Sequence, residues 1–594
     1  MRIGLRLVPI LVLVFAGAAC AGAPAQPNLT SRYLVGRVAA QSNSLGAAAK
    51  AFAAAHAAAP GERAILEDAL FFHLAAGDVA AATPFARRIV DLASSTNAEN
   101  RASNPAAAKT AGNRTPDAGL ARITLAAEAI HDRHFEEARA SLQGEIKAPF
   151  LKSIAFLMDV WIERALAGPE AALAKLDNPG ADMFDGFNAL HRALLLEEAG
   201  RVEDARASYQ AAVFGLGGPV GRAAYGAFLE RIGDVEAARG YYELLAGEAG
   251  PARRAAEEAF QRLDKGEATK AYADMTPGAG AAIALYSHAS AIVEYAADTR
   301  SRAVNAGFHV GDPQLDLPLT LARLALYLDP HRDEARRLVG WILGAYGDYE
   351  GARLALAEIR PSSPHFEQAR IEMAGALSAA GRAREATRLL KDTIRRNDGA
   401  IEAKLMLGQL EAGEGRRRAA IAVFTDVIDG LGEKPADDAW RYYIARGDAL
   451  LQLGRWDEAE SDLKRALEIA PEEPTTLNYL GYSWAERGLN LEKAFGLIEK
   501  AVELQPQSGA IIDSLGWAHY QLGDYAEAVG HLEKAVSFEP SDPTITDHLG
   551  DVYWRLGREI EARYEWRRAL TFDPPEKLRA ELRRKLSDGL AVEN

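Results

Sequence analysis

The chain has 594 residues, of which 48% are hydrophobic and 25% are charged, and it contains one cysteine. Its formal net charge of −15 provides no basic excess for neutralising phosphates, so the composition argues against nucleic acid as a partner. A single cysteine excludes an intramolecular disulfide. The fold must therefore be held together by the packing of apolar side chains.

Residues 1–20 have the organisation of a signal peptide. Arg2 and Arg6 precede an apolar run over residues 7–15, which is too short to span a bilayer as a stable helix. Small residues then lead to Cys20. A cysteine at this place resembles a bacterial lipobox, in which the thiol becomes acylated. We therefore predict that Cys20 is lipidated and anchors the chain to a membrane.

The residue after the cysteine is Ala21 and not the aspartate that resembles an inner-membrane retention signal. This favours the periplasmic face of the outer membrane, with residues 21–29, rich in Ala, Gly and Pro, as a flexible tether. Cleavage after the triplet 23–25 is the alternative, and it would release a soluble periplasmic protein.

Small residues in the N-terminal half recur at the spacing of helical hairpins, in a loose form. Gly36 and Leu70 are 34 residues apart. We predict N-terminal repeat units over residues 30–93 and degenerate units over residues 120–247. The degenerate units are marked by Ala126 with Ala138, Ala193 with Gly200 and Ala205, and Gly226 with Gly233 and Ala238.

Two stretches interrupt this pattern. Residues 94–119 are heavy in Ser, Asn, Ala and Thr, and this composition predicts a disordered insertion. Residues 248–314 have no clear periodicity, and we predict an irregular helical region there.

The C-terminal half, residues 315–575, shows the repeat most regularly. A small residue recurs with steps of 34, 34, 39, 34, 35 and 34 residues, at Gly340, Ala374, Gly408, Gly447, Gly481, Gly516 and Gly550. A glycine follows seven residues after each, at Gly347, Gly381, Gly415, Gly454, Gly488, Gly523 and Gly557. An alanine series follows at Ala352, Ala386, Ala420, Ala459, Ala494, Ala528 and Ala562.

Each series has a mechanical reason. The first small residue lies midway along the first helix, where a side chain would keep the second helix away. The second glycine ends the first helix in the left-handed conformation that glycine adopts most easily. The alanine faces the close contact from the second helix. This is the pattern of the tetratricopeptide (TPR) repeat, so we predict an all-α, helical-hairpin TPR solenoid, with a capping helix and tail over residues 576–594.

Fragments that imitate catalytic motifs lack the context those motifs need. Ser461 and Lys464 have a Ser-x-x-Lys spacing, but they fall on a repeat helix without companion motifs. His131 and His134 are three residues apart, and no third metal ligand is evident nearby. We therefore predict no enzymatic activity, no cofactor and no metal.

The face of the first helices in the last three units is the candidate partner-binding groove, because positions two, five, nine, twelve and thirteen of each helix point there. Aromatic residues on a concave face are typical binding anchors, and Trp517 and Trp554 are the candidates here. The aspartates predict a cationic or neutral partner segment. Packing of both tryptophans within the stack is the alternative. The groove set is Asn478, Tyr482, Asp513, Trp517, Tyr520, Gln521, Asp547, Asp551, Trp554 and Arg555.

The C-terminal stretch is distinctive in its sequence at residues 477–482, 490–494, 513–517 and 547–554. With the lipobox-like start, it resembles the TPR outer-membrane lipoproteins of Gram-negative bacteria. One branch of that family is the adaptor of a periplasmic C-terminal processing protease and recruits cell-wall hydrolases for degradation. The resemblance covers about the last 120 residues strongly and the rest as repeat architecture.

This resemblance implies a non-catalytic adaptor or scaffold whose partners are proteins: a periplasmic processing protease and its substrates. A scaffold for envelope assembly or polysaccharide export is the alternative in the same class. An enzyme subunit with its site in residues 248–314 is the alternative of another class.

Overall fold

The computed structural model describes residues 29–103, 118–177, 184–216, 218–246, 251–273, 275–305, 315–431 and 438–590. Within these ranges the chain forms 30 helices and no strand, which confirms the predicted all-α hairpin solenoid. Cys20 and residues 21–28 lie outside the described residues. None of the described helices is both long enough and apolar enough to span a membrane.

The N-terminal part contains thirteen of these helices, which pair as hairpins up to α12. They are α1 Leu29–Gln41, α2 Leu45–Ala58, α3 Arg63–Ala76, α4 Val79–Ser103, α5 Gly119–His131, α6 Phe135–Leu142, α7 Pro149–Ala167, α8 Pro169–Leu176, α9 Asp185–Glu198, α10 Val202–Leu216, α11 Pro219–Arg231, α12 Val235–Ala246 and α13 Pro251–Asp264.

A long helix then begins the second part, and regular hairpins follow it to the last helix. They are α14 Pro277–Asn305, α15 Asp316–Leu328, α16 Asp333–Ala345, α17 Tyr349–Ala357, α18 Phe366–Ala379, α19 Ala383–Arg396, α20 Ile401–Gly413, α21 Arg417–Asp429, α22 Trp440–Leu451, α23 Trp456–Ile469, α24 Pro474–Ala485, α25 Leu491–Leu504, α26 Gly509–Gln521, α27 Tyr525–Phe538, α28 Pro543–Arg555, α29 Glu559–Leu570 and α30 Glu576–Asp588.

The glycines of the C-terminal repeats do what their spacing predicts. The seven that end the first helices have φ between 65° and 83°, the left-handed region. A Cβ at Gly516 would lie 2.8 Å from Cγ of Leu532 on the second helix of its hairpin. A Cβ at Gly408 would overlap the Phe424 ring. The two helices of these hairpins therefore meet where the first helix has no side chain, and one hairpin has the small Ala374 at this position.

Helix α14 packs across the N-terminal hairpins and not only against its own partner α15. It contacts α5, α7 and α9, each of which is the first helix of its hairpin. Gly280 makes the closest approach, because a Cβ there would overlap the ring of Trp161 on α7, which is fully buried. Further along, the His288 ring stacks on Phe187 of α9 with 3.8 Å between ring centroids. The face formed by these first helices is thus covered by the protein's own chain.

The prediction of an irregular region over residues 248–314 is corrected by this helix. Its described part consists of two regular helices, α13 and α14, joined by a short loop. All five residues from 281 to 285 are 0% exposed, so α14 is apolar on every side at this point. A helix buried all round shows no 3.6-residue alternation, which is why its periodicity could not be recognised.

Residues 94–119 are predicted to be a disordered insertion, but the first part of this segment is helical in the structure. Helix α4 continues to Ser103. Its sequence after Pro84 contains no glycine or proline up to that residue, so nothing breaks the helix before Pro105 approaches. Ala118 is 3% exposed and packs in the core beside α5. Residues 104–117 lie outside the described residues.

We expect Gly280→Ala to destabilise the protein by about 1–3 kcal/mol or more, because the new methyl group must displace the buried Trp161 ring. Gly344→Ala on α16 is the matched control, because a Cβ at Gly344 meets nothing within 4 Å. It should leave stability unchanged or raise it by about 0.5–1 kcal/mol. Thermal melts of both variants by circular dichroism measure this difference, and equal melting temperatures would contradict the docking of α14.

Candidate binding groove at the C-terminal end

The predicted groove residues lie on three first helices, α24, α26 and α28, which contact one another in sequence order. They form one face, as the helical spacing predicts. Helix α24 carries Asn478 and Tyr482; α26 carries Asp513, Trp517, Tyr520 and Gln521; and α28 carries Asp547, Asp551, Trp554 and Arg555.

Trp517 is the centre of an aromatic stack on this face. Its ring is parallel to Tyr520, with 4.5 Å between centroids and 9° between planes. The ring of His548 on α28 stacks on it at 3.9 Å and 18°. Trp517 is half-buried. The indole is therefore held in one orientation while part of it stays accessible from the groove.

The other groove residues near the stack differ in their exposure and in whether their polar atoms have hydrogen-bond partners. The Tyr520 hydroxyl accepts a hydrogen bond of 3.2 Å from Nε of Arg555. Gln521 is exposed, and Tyr482 is half-buried, with burial raising the pKa of its hydroxyl. The side-chain oxygen of Asn478 is buried and has no hydrogen-bond partner among the described residues. It is the one such atom in the predicted set.

Asp513 is paired inside the stack. Its carboxylate oxygens lie 2.9 and 3.0 Å from Nδ1 of His548, one repeat later in the chain. Burial lowers the pKa of His548, but the attraction of Asp513 outweighs it, and the pKa lies above its ordinary value. When protonated, the imidazole therefore forms an ion pair with the Asp513 carboxylate.

Asp547 and Asp551 share one counter-charge within the chain, Lys585 of the capping helix α30. The lysine Nζ lies 2.7 Å from Asp547 Oδ1 and 2.7 Å from Asp551 Oδ2. All three residues are buried, with 4%, 5% and 3% exposure in the order Asp547, Asp551, Lys585. Asp551 accepts a further hydrogen bond of 2.9 Å from the indole nitrogen of Trp566.

One lysine between two buried carboxylates leaves an excess of negative charge. Burial and the neighbouring Asp551 raise the pKa of Asp547 to about 6, although Lys585 opposes this. Burial raises the pKa of Asp551 as well. The pair of carboxylates thus retains a proton more readily than an exposed aspartate does.

The structure corrects the prediction that the groove aspartates select the charge of a partner. Asp513, Asp547 and Asp551 are each less than a tenth exposed and each has an intramolecular cation. Trp554 is half-buried, like Trp517. Its ring packs on Trp566 with 5.4 Å between ring centroids, and a Cβ at Gly589 would overlap it, so the chain end after α30 covers part of the ring. These contacts favour the alternative that Trp554 packs within the stack.

The spacing of Lys585 from Asp547 is close to one repeat length, and this spacing could have indicated that the two residues pair. Asp513 pairs with a residue 35 positions later, and Lys585 follows Asp547 by 38 positions. Helix α30 therefore stands where the first helix of another repeat would lie. The sequence marked α30 as a cap by its polarity, but it did not show that the cap reaches into the groove.

A second polar arrangement, in the N-terminal half, was missed altogether. Glu197 accepts hydrogen bonds from the Tyr209 hydroxyl at 2.7 Å and from Nε of Arg231 at 2.7 Å. The same arrangement recurs 33 residues later, where Glu230 accepts from Tyr242 and Arg262, each at 2.8 Å. Through these hydrogen bonds the two glutamates link the first helices of three successive hairpins, α9, α11 and α13. The repeated arrangement therefore has a structural role.

A cavity of about 1630 Å³ opens beside α13 and the loop that follows it. Residues 258–279 form one wall, which is where a site in the region 248–314 would lie. Two pairs of ionisable groups meet in its lining: Arg332 is 3.0 Å from Asp329, and His365 is 3.8 Å from Glu334. Burial raises the pKa of Glu334, but His365 and Arg332 outweigh it and bring it to about 2. These groups stabilise the junction of the two halves.

The side chains that imitate catalytic or metal-binding motifs make contacts that are typical of repeat helices. His131 stacks on Tyr327 at 4.4 Å. Lys464 forms an ion pair of 3.0 Å with Glu460 on its own helix. No group of three or more His, Cys, Asp or Glu placed to hold a metal occurs among the residues that the structure describes.

Comparisons with known proteins identify the repeat. Residues 516–557 match the model of the TPR repeat, and residues 440–473 match that of the tetratricopeptide repeat. The chain therefore contains tetratricopeptide repeats. The predicted repeat identity is confirmed for the C-terminal half.

Relatives share this feature over part of their length. A TPR repeat-containing protein from Pseudomonas aeruginosa is 31% identical over 173 residues, covering 29% of this chain and 28% of that protein. Protein O-mannosyl-transferase Tmtc1 from Drosophila melanogaster is 25% identical over 148 residues, covering 24% of this chain and 16% of that protein. The chain thus spans less than a third of the length of these curated relatives.

Among solved structures, a chain of the APC/C hetero-tetramer Cut9–Hcn1 aligns over 95% of this chain and 96% of its own length. Its sequence identity is 15% and its TM-score 0.37. The TPR repeats themselves support a protein-interaction scaffold.

We expect Lys585→Met to destabilise the C-terminal end by about 3–5 kcal/mol, because it leaves Asp547 and Asp551 buried without a counter-charge. Lys577→Met, at an exposed position of the same helix, is the control and should change stability by less than about 0.5 kcal/mol. Hydrogen exchange of the α28 and α30 amides reports the loss locally. Equal protection in the two variants would mean that the buried triad contributes nothing.

We expect His548→Gln to destabilise α26 and α28 more at pH 5.5 than at pH 8.5. The raised pKa of His548 means that its contribution is complete below the ordinary pKa of histidine and is lost as pH rises through the raised pKa. His531→Gln is the opposite control, because burial, with His519, lowers the pKa of His531. Its effect should be smaller at the lower pH. Hydrogen exchange at both pH values measures each difference, and the same pH trend in both variants would contradict the Asp513 pairing.

Proposed function

We propose that this protein is a non-catalytic, protein-binding adaptor on the periplasmic side of the outer membrane. The proposed partners are a processing protease and its cell-wall hydrolase substrates, as the sequence resemblance implies. The proposed anchor is an acylated Cys20. Tetratricopeptide repeats support the binding of proteins in general, and the partners and the location are the part proposed here.

The stack centred on Trp517 is the observation that carries the binding proposal. Two rings, Tyr520 and His548, hold the indole in one orientation, so little conformational entropy is lost when a partner covers it.

The paired aspartates change the kind of partner that the groove favours. Because Asp513, Asp547 and Asp551 are buried against His548 and Lys585, their carboxylates present little charge to a partner at the surface. We therefore propose a segment that presents an apolar or aromatic side chain to Trp517, and not one chosen for positive charge. Binding to this surface should depend only weakly on salt.

We expect Trp517→Ala to weaken capture of the partner by about 2 kcal/mol, roughly thirtyfold. Tyr564→Ala is the matched control, because Tyr564 is 58% exposed on α29, outside the groove set. Crosslinking of envelopes followed by pull-down identifies the partner, and titration with that purified partner measures the affinity. A processing protease supports the adaptor role, whereas envelope-assembly proteins favour the alternative scaffold. Undiminished affinity in a folded Trp517→Ala chain would place the binding surface elsewhere.

We expect metabolic palmitate labelling of the wild-type chain and none of Cys20→Ser. The thiol is the only acceptor for thioether lipidation, since the chain has one cysteine. Fractionation should place the wild-type chain in the outer membrane. Recovery of the unlabelled wild-type chain in the soluble periplasm would instead support cleavage after residue 25.

A further inference from the structure

Helix α1 exposes an apolar stripe at the N-terminal end of the described stack. Leu34, Val35 and Val38 are 55%, 59% and 56% exposed. At about 100° per residue these three side chains fall within one third of the helix circumference. The opposite side of α1, with Gly36 and Ala39, packs on Phe52 of α2.

The same positions are buried in later repeats. Val35 precedes Gly36 as Leu480, Leu515 and Leu549 precede the corresponding glycines Gly481, Gly516 and Gly550. Those three leucines are 1%, 5% and 3% exposed, because each packs against the second helix of the preceding hairpin. No helix among the described residues covers α1 in this way. Its stripe is an unused stacking surface.

The first two helices have a charge balance opposite to that of the whole chain. Residues 29–61 contain three cations, Arg32, Arg37 and Lys50, and no Asp or Glu, although the chain has a net charge of −15. Arg32 donates to the backbone oxygen of Ala54 at 3.0 Å. Arg37 and Lys50 are exposed. An apolar helix stripe accompanied by exposed basic side chains is an arrangement that binds anionic lipid surfaces.

We propose that the stripe of Leu34, Val35 and Val38 lies in the headgroup region of a phospholipid surface, with Arg37 and Lys50 facing anionic headgroups. This rests on the proposed outer-membrane location. Eight residues separate Cys20 from α1 and span at most roughly 30 Å, so an acylated Cys20 would hold α1 at the membrane. A second copy of the chain fits less well, because pairing two such faces would bring their cations together.

Photolabelling tests the contact directly. The full chain, wild type and Cys20→Ser, is mixed with vesicles of phosphatidylethanolamine and phosphatidylglycerol that contain a phospholipid with a diazirine in its acyl chain. After irradiation, tryptic peptides are analysed by mass spectrometry. Lipid adducts are expected on the peptides 33–37 and 38–50. In vesicles of phosphatidylcholine alone, or at high salt, the yield should fall because the cations then contribute less.

A matched pair of variants separates α1 from other exposed apolar residues. Val35→Glu with Val38→Glu should lower the adduct yield on residues 33–50 at least about fivefold, since two charges enter the apolar stripe. Ile560→Glu with Tyr564→Glu, at positions 85% and 58% exposed on α29, should leave the yield unchanged. Circular dichroism checks folding, and Arg37→Gln provides a milder change that should lower the yield in anionic vesicles alone.

Two results would overturn the assignment. One is an acylated, vesicle-bound chain without adducts on residues 33–50. The other is crosslinking of α1 to a second protein chain in place of lipid. Failure of the proposed location gives a different result: a wild-type chain that is not acylated in cells, while purified protein still forms α1 adducts in anionic vesicles.

Discussion

A helical hairpin of about 34 residues cannot bury its apolar face by itself, and every feature of this protein depends on how that face is covered. Within the regular array the next hairpin covers it, and the glycine and alanine series let the backbones approach. The arrangement is different wherever the series is interrupted. In the N-terminal half, α14 lies across the first helices of three hairpins, with Gly280 against Trp161. This contact joins the two halves of the chain.

The two ends of the described stack differ in whether the apolar face of the terminal hairpin is covered. At the C-terminal end α30 takes the place of another first helix and puts Lys585 between two carboxylates of α28. A buried charge cluster stabilises weakly on balance, but it fixes the position of the helix because removal of one member leaves the others unpaired. At the N-terminal end α1 presents three exposed apolar residues, and α1 and α2 contain no Asp or Glu. A polar helix caps one end, whereas no helix among the described residues covers the apolar stripe at the other.

The same cap decides which part of the candidate groove is accessible. Both tryptophans of the candidate groove are half-buried, but the chain end that follows α30 packs on Trp554, whereas Trp517 is stacked between Tyr520 and His548. The proposed recognition at Trp517 would depend on shape and apolar contact, because the groove aspartates are buried and paired.

The sequence by itself determined the repeat. Local backbone rules fix where glycine must end a helix and where a side chain cannot fit, so the spacing of Gly347 or Gly516 is visible without a structure. It also determined that the groove residues share one face, since helical geometry alone requires this. Only the tertiary structure decided which of them are open, because Lys585 and Gly589 reach Asp547 and Trp554 from beyond the last repeat. Helix α14 was not recognised for the related reason that it is buried on all sides. Its residues 281–285 carry no periodic pattern, and one of the helices that bury it, α7 with Trp161, lies over a hundred residues earlier in the chain.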